Sequence, residues 1–231
     1  MRGRMIRVLL AGLALLLVAC SDDDGNDQEL ADGVVLTIDD LPDGWEVDEQ
    51  SEDESNADLD LPQECDEFDD AFGGDNDFPG KTAEADSASF TMGVLDRDGF
   101  EFTVEADVST AEDPDDIAAV MDLIGDDRLP ECLAAAFEVN IQEEVNEPGV
   151  EFASFESDKP DPPEVGDRAE AIQVTSAILV EDLEIPVAFD IIFVQEGRVG
   201  FSVLTSSLGD RIDEDDVDQM LETMAERAAD A

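Results

Sequence analysis

The sequence contains no histidine and has few basic residues and few cysteines. Its 231 residues include 11 Lys+Arg, 64 Asp+Glu and 3 Cys. Without histidine the chain cannot form a Ser-His-Asp or Cys-His catalytic system, a histidine-ligated zinc site or a histidine proton shuttle. Because carboxylates are so abundant, a pair with glycosidase-like spacing arises by chance and points to no hydrolase. We therefore expect no enzyme, no catalytic residues, no metal site and no cofactor.

The shortage of basic residues leaves the chain strongly acidic, with a formal net charge of −53 at pH 7. The first 20 residues hold three arginines and no carboxylate, so their removal would bring the net charge to −56. Such a charge repels the phosphates of nucleic acids, and we expect no nucleic-acid partner. A salty habitat, where counterions screen a halophile-like surface, is our preferred interpretation. Cation capture and simple compositional bias are the alternatives.

An apolar run at 8–18 follows three arginines near the start of the chain. It is shorter than the about 20 apolar residues that a membrane-spanning helix needs. The run ends in the sequence LVAC at 17–20, which resembles the lipobox of bacterial lipoproteins. In that family a diacylglycerol is attached to the cysteine thiol, and the chain is cleaved just before that cysteine. The resemblance implies a signal peptide at 1–19 and a lipid on Cys20.

This leader predicts the location of the protein and its division into segments. We expect a lipid anchor, carrying palmitate-like acyl chains, on the extracytoplasmic face of the cell membrane. Residues 20–32 would comprise the lipidated cysteine and an acidic, solvated tether, because the stretch is polar and lacks apolar periodicity. Residues 33–231 would form a single extracytoplasmic domain, with two lobes meeting near 140–168 as a variant. An ordinary secretory signal and an uncleaved anchor remain the alternatives.

Two further cysteines, Cys65 and Cys132, remain in the exported part of the chain. Each follows a Leu-Pro pair closely and is expected near the start of a helix. An even pair of cysteines in an exported protein most often forms a disulfide, which is our prediction. The alternative is a reactive thiol whose pKa is lowered by the helix start.

Hydrophobic periodicity predicts an α+β fold, in which an antiparallel sheet is flanked by helices. The predicted strands are 88–94, 100–108, 150–155, 169–180, 184–194 and 198–207. The predicted helices are 63–72, 114–124, 131–139 and 213–229. The last three strands form a meander whose final turn contains Gly197, and the closing helix should pack on the sheet through its apolar stripe.

Short motifs along the domain resemble a group of actinobacterial lipoproteins. These motifs are LPDGW at 41–45, VGDRAEA at 165–171 and EGRVGFSVL at 196–204, together with the spaced cysteines and the closing helix. The group is similar to the extracellular sensor domains of actinobacterial receptor kinases and to Mog1/PsbP-like folds. The resemblance implies a binding or sensing role without catalysis. It carries over no functional residues, and this chain shows no kinase segment.

These observations favour a lipid-anchored, non-enzymatic envelope lipoprotein with a ligand-binding or sensor-like domain. Its partners would be the membrane, through the N-terminal lipid, and an unknown small ligand, cation or envelope protein. One alternative is an envelope assembly or interaction protein without a pocket. A second is a hydrolase that uses two carboxylates. A pocket between sheet and helices would favour ligand binding, whereas a buried carboxylate pair in a cleft would favour the hydrolase.

Overall fold

The computed structural model of the protein describes residues 25–48, 61–65, 68, 80–93, 101–144, 150–180 and 183–230. These residues form an α+β fold with a nine-stranded antiparallel sheet and four helices, which confirms the predicted fold class. The helices are α1 (Gly25–Val34), α2 (Pro114–Ile124), α3 (Leu129–Glu144) and α4 (Glu214–Ala229). The strands are β1 (Glu46–Val47), β2 (Lys81–Asp86), β3 (Phe90–Met92), β4 (Glu101–Ala111), β5 (Val150–Phe152), β6 (Glu156–Asp158), β7 (Arg168–Val180), β8 (Leu183–Glu196) and β9 (Val199–Leu208).

The strands from both halves of the chain join in one sheet. Its order is β1-β3-β4-β9-β8-β7-β5, with β2 also paired to β4 and β6 also paired to β7. The predicted meander forms as β7, β8 and β9, and its last turn places Gly197 at a φ of 56°, a conformation that glycine adopts without steric cost. The pairing of β4 with β9 connects the two halves, which explains why they share a single sheet.

Alternation along the strands gives the sheet two apolar faces. One face packs under α1 and α4, whose Met220, Leu221 and Met224 are fully buried against Val104 and Val203. We call this the α4 face. The opposite face, which we call the α2/α3 face, carries Phe189, Ile191 and Phe193 from β8. There the Phe189 ring stacks on Phe137 of α3, with the ring centroids 4.6 Å apart.

The helix α2 spans its predicted residues and α4 begins one residue after its predicted start, whereas α3 extends beyond the predicted 131–139 at both ends. Asp113 caps α2, and its carboxylate accepts a hydrogen bond from the Asp115 amide at 3.0 Å. Asp213 caps α4 in the same way, with a 3.0 Å bond from the Asp215 amide. The predicted helix at 63–72 lies largely outside the described residues, which show a short 3₁₀ turn at Gln63–Cys65.

Several segments differ from the prediction, which also lacks the short strands β1 and β6. Residues 25–34 are not part of a solvated tether, because they form α1, in which Ala31 and Val34 are buried. These apolar residues are hidden among carboxylates in the sequence, and the packing against the sheet outweighs the polar composition. Strand β2 was not predicted, since KTAEAD has little β propensity and gains its structure by pairing with β4.

Candidate functional site

The three cysteines are the site residues predicted from the sequence. Cys20 is outside the described residues, so its lipidation stays a prediction. Cys65 and Cys132 are joined by a disulfide, with their Cα atoms 5.9 Å apart. The bond fastens the 3₁₀ turn at Gln63–Cys65 to the first turns of α3, where both cysteines are buried. This pair is therefore structural and presents no free thiol.

An open cleft lies on the α4 face, beside the N-terminus of α4. Its volume is about 550 Å³, within the range of small-molecule sites. The floor is formed by β7, β8 and β9, one wall by the loop at 160–163 and the other by residues 211–218. The lining residues are Pro160, Asp161, Pro162, Pro163, Ala171, Ile172, Gln173, Asp190, Ile192, Thr205, Arg211, Ile212, Glu214, Val217 and Asp218.

Strand register brings the polar floor of this cleft together. Gln173 lies opposite Asp190, and Asp190 lies opposite Thr205, so the three side chains form a row across the meander. The Gln173 side-chain amide donates to Asp190 Oδ1 at 2.8 Å. Arg211, from the segment that leads into α4, forms an ion pair with the same carboxylate. Asp190 is thus held in position by two partners from different elements.

The proline-rich wall is fixed at both ends. At one end Lys159 donates to the carbonyl oxygen of Gly125 at 2.6 Å and forms an ion pair with Glu170 at 3.0 Å. At the other end the Asp167 amide donates to the Gln195 carbonyl at 2.8 Å. Three prolines between these anchors restrict the backbone further. The cleft is therefore preorganised, which reduces the entropy cost of binding.

Carboxylates dominate the charge of the cleft. Its lining contains four acidic side chains and one basic side chain, Arg211, which already binds Asp190. The first two turns of α4 contribute Glu214 and Asp218, which lie one turn apart and on the same side of the helix. The site carries a net charge of three negative units and attracts positively charged groups.

A second carboxylate cluster lies on the α2/α3 face, around β4. Asp86 on β2 is the register partner of Asp107, and Glu105 follows two residues away on the same side of β4. The Asp86 and Asp107 carboxyl groups form a hydrogen bond with each other. A bond between two carboxyl groups requires a proton on one of them, because an ionised carboxylate only accepts. Ser202 donates to Asp107 Oδ2 at 3.2 Å.

Burial determines the protonation of this cluster. Burial raises the pKa of Asp107 well above its ordinary value, and the charges of Asp86 and Glu105 raise it further. Burial also raises the pKa of Asp86 and of Glu105, despite hydrogen bonds from Asp107 and Ser89 respectively. Glu105 Oε2 is buried and has no hydrogen-bond partner among the described residues. We assign the shared proton to Asp107.

The buried cluster does not complete the hydrolase alternative. Its carboxylates lie on the opposite sheet face from the cleft, and none of them is among the residues that line it. Within the described ranges, no group of three or more Cys, Asp or Glu side chains is arranged to hold a metal ion. The helices in the described part of the chain are too short or too polar to cross a bilayer.

The cleft residues are not evident from the sequence. Gln173, Asp190 and Thr205 are distant along the chain and meet only through the register of three strands. One signal was available, because Asp190 interrupts an otherwise apolar strand. The prolines at 160–163 indicate a loop, but the direction in which the loop folds is set by tertiary contacts.

Comparison with known proteins gives two weak structural likenesses. No protein-family model matches the chain, and no curated protein matches it. The extracellular domain of PknH from Mycobacterium tuberculosis matches with 14% identity and a TM-score of 0.32, over 65% of this chain and 64% of that one. LpqN from the same organism, described as involved in cell envelope biogenesis, matches with 10% identity and a TM-score of 0.29, over 67% and 80% of the two chains. At these values the likeness assigns no activity.

Proposed function

We propose that this protein is a lipid-anchored, non-enzymatic domain on the extracytoplasmic face of the cell membrane, and that it binds a small ligand in the cleft. The observation that carries the binding function is the cleft itself, about 550 Å³ in volume, with a floor fixed by strand register and a wall anchored at both ends. The lipobox-like LVAC sequence and the disulfide support the location, since disulfides persist in oxidising compartments.

The binding function is tested by screening a fragment library with saturation-transfer NMR. Ile212 lines the cleft and is partly exposed, so Ile212→Trp should fill the cleft without breaking the core. The matched control is Ile38→Trp, at an exposed position that does not line the cleft. We expect fragments that bind the wild type and the control but not Ile212→Trp. No binding to the wild type, or equal binding to Ile212→Trp, would contradict the proposal.

The location is tested separately by metabolic labelling with a clickable palmitate analogue in a lipoprotein-processing bacterial host. The wild-type chain should be labelled, and the Cys20→Ala variant should not be. Label on both chains, or an intact N-terminal leader on the purified wild type, would refute the anchor while leaving the cleft untouched.

The proposal also includes a cause for the acidic composition. We attribute it to a salty environment, in which counterions reduce the repulsion between surface carboxylates. The melting temperature should therefore rise as NaCl is added. A melting temperature that does not rise would contradict the salty-environment explanation of the acidic composition.

The pocket-free alternative gains no support from the surface. The large apolar side chains exposed in the described residues are Ile38, Val47, Leu123, Val139 and Leu183. They lie on five different segments of the chain, and single exposed apolar side chains are normal on a protein surface. The exposed apolar side chains of the described residues therefore give the assembly function no specific support.

A further inference from the structure

The chemistry of the cleft walls limits which small molecules can bind. The apolar part of the lining consists of proline, alanine, isoleucine and valine, and no aromatic side chain is among the lining residues of the described chain. Recognition of quaternary ammonium groups usually relies on a cage of aromatic rings. The cleft therefore suits an aliphatic body, and any cationic group must be held by carboxylates and hydrogen bonds.

Anions are disfavoured at this site. The basic residue of the lining, Arg211, is already bound to Asp190. A helix N-terminus often attracts anions, but at α4 the Asp213 carboxylate occupies it by accepting from the Asp215 amide. The net negative charge of the cleft adds repulsion, so a carboxylate or phosphate would meet no unpaired basic side chain among the described lining residues.

The floor also supplies a hydroxyl group. Thr205 lines the cleft and is only 3% exposed. Its hydroxyl can accept a hydrogen bond from a ligand N–H group. Asp190 lies directly opposite Thr205 in the register, which places an acceptor beside it.

We infer that the ligand of the cleft is an aliphatic primary or secondary amine, bound as its ammonium form with the N–H groups directed at the carboxylates of Asp190, Glu214 and Asp218. The alkyl body packs against the proline wall and Ile212. This inference rests on the proposed function of the cleft and narrows it to one ligand class. An ammonium with N–H donors satisfies both the charge and the acceptors, whereas a neutral alcohol satisfies neither fully.

The inference is tested with four probes that share a six-carbon chain and differ in their head group. Hexylammonium, hexanol, hexanoate and hexyltrimethylammonium are titrated into the full folded domain by calorimetry, at about 0.15 M salt to suppress diffuse attraction to the acidic surface. We expect hexylammonium to bind about tenfold more tightly than hexanol and hexyltrimethylammonium. Hexanoate should not bind measurably.

Matched double variants separate the cleft from the general negative charge. Glu214→Gln/Asp218→Asn removes two cleft carboxylates, and Asp115→Asn/Glu131→Gln removes two exposed carboxylates from the first turns of α2 and α3. The cleft variant should lose about tenfold in hexylammonium affinity, and the control should lose less than twofold. Because all four positions are wholly or partly solvent-exposed, both variants should fold.

The outcomes distinguish this inference from the proposed function. Equal binding of hexylammonium and hexanol, with loss of both in Ile212→Trp, would retain the cleft as a site and refute the amine. Equal loss of affinity in the two double variants would also refute it, because diffuse charge would then explain the binding. Absence of binding by all four probes and by the fragment library would overturn both.

Discussion

The cleft and the cluster of Asp86, Glu105 and Asp107 gather carboxylates on opposite faces of the same sheet, yet their surroundings differ. In the cleft, Asp190 is fixed by Arg211 and Gln173, while one side of the site is open. In the cluster, burial raises the pKa of each carboxyl group. In our proposal the open carboxylate of Asp190 serves a ligand, whereas the closed cluster mainly reduces the stability of the fold.

Basic residues are scarce in this chain, and burial is the main cause of the raised pKa values in the cluster. Each of the seven Lys and Arg residues in the described part of the chain forms an ion pair. Lys81 is bonded to Glu84, and its charge lowers the pKa of Asp86 by less than burial raises it. With 64 acidic residues and 11 basic ones, the chain cannot supply a base to every buried carboxylate.

The largest effect should come from Asp107→Asn. Because the folded state raises the pKa of Asp107, it binds the proton more tightly than the unfolded chain does. That carboxyl group therefore costs nothing below its unfolded pKa and destabilises the fold increasingly as the pH rises through the folded value. We expect the variant to gain about 2 kcal/mol of unfolding free energy at pH 7, and the gain to disappear near pH 3. Urea denaturation at both pH values measures this gain in unfolding free energy.

Asp40→Asn is the control, for which we expect a change in unfolding free energy of the opposite sign. Burial would raise the pKa of Asp40, but hydrogen bonds from Arg227 and Thr37 outweigh it and lower the pKa. Its contribution is thus present above the unfolded pKa and is lost as the pH falls through the folded value. Asp40→Asn should lose about 1 kcal/mol at pH 7 and little near pH 3. A loss of stability in both variants at pH 7 would contradict the proton assignment to Asp107.

Arg211→Met should have a smaller effect on stability and a measurable effect on the affinity of the cleft for hexylammonium. The Arg211 side chain is 51% exposed, so loss of its ion pair should cost less than about 1 kcal/mol. Removal of its charge leaves Asp190 free for the ligand, and hexylammonium affinity should rise a few-fold. A fall in affinity, measured by calorimetry, would mean that Arg211 contacts the ligand instead of competing with it.

The smallest effect should come from Ser202→Ala. Ser202 donates to Asp107 at 3.2 Å, and this bond lowers the pKa of Asp107. Its loss should reduce the unfolding free energy by about 0.5 kcal/mol at pH 7. Because Asp107 keeps the shared proton in the folded state, the loss should be similar near pH 3. A loss that is clearly larger at pH 7 than at pH 3 would indicate an ionised Asp107 and would contradict the proton assignment.

The strands and helices could be predicted where apolar residues recur at a regular spacing along the sequence. The alternation of Val187, Phe189, Ile191 and Phe193 predicts β8, and the structure buries these four side chains together on one face. The apolar stripe of α4 and the Asp113 cap of α2 are equally local signals. In contrast, the helix α1 depends on packing by Ala31 and Val34, which the surrounding carboxylates hide in the sequence.

The candidate site could not be predicted in the same way. Gln173, Asp190 and Thr205 form the floor because two strand pairs align them, and a shift of one residue would turn them to the other face. The cluster around Asp107 depends in the same way on the register of β2 with β4. Register of this kind is a property of the assembled sheet and not of any single segment.

Chemical-shift mapping with hexylammonium tests most directly whether the cleft, and not the buried cluster, is the binding site. We expect saturable shifts of backbone amides around Gln173, Asp190, Thr205 and Asp218. Shifts that centre on Asp107, or that spread evenly over the acidic surface, would contradict this expectation.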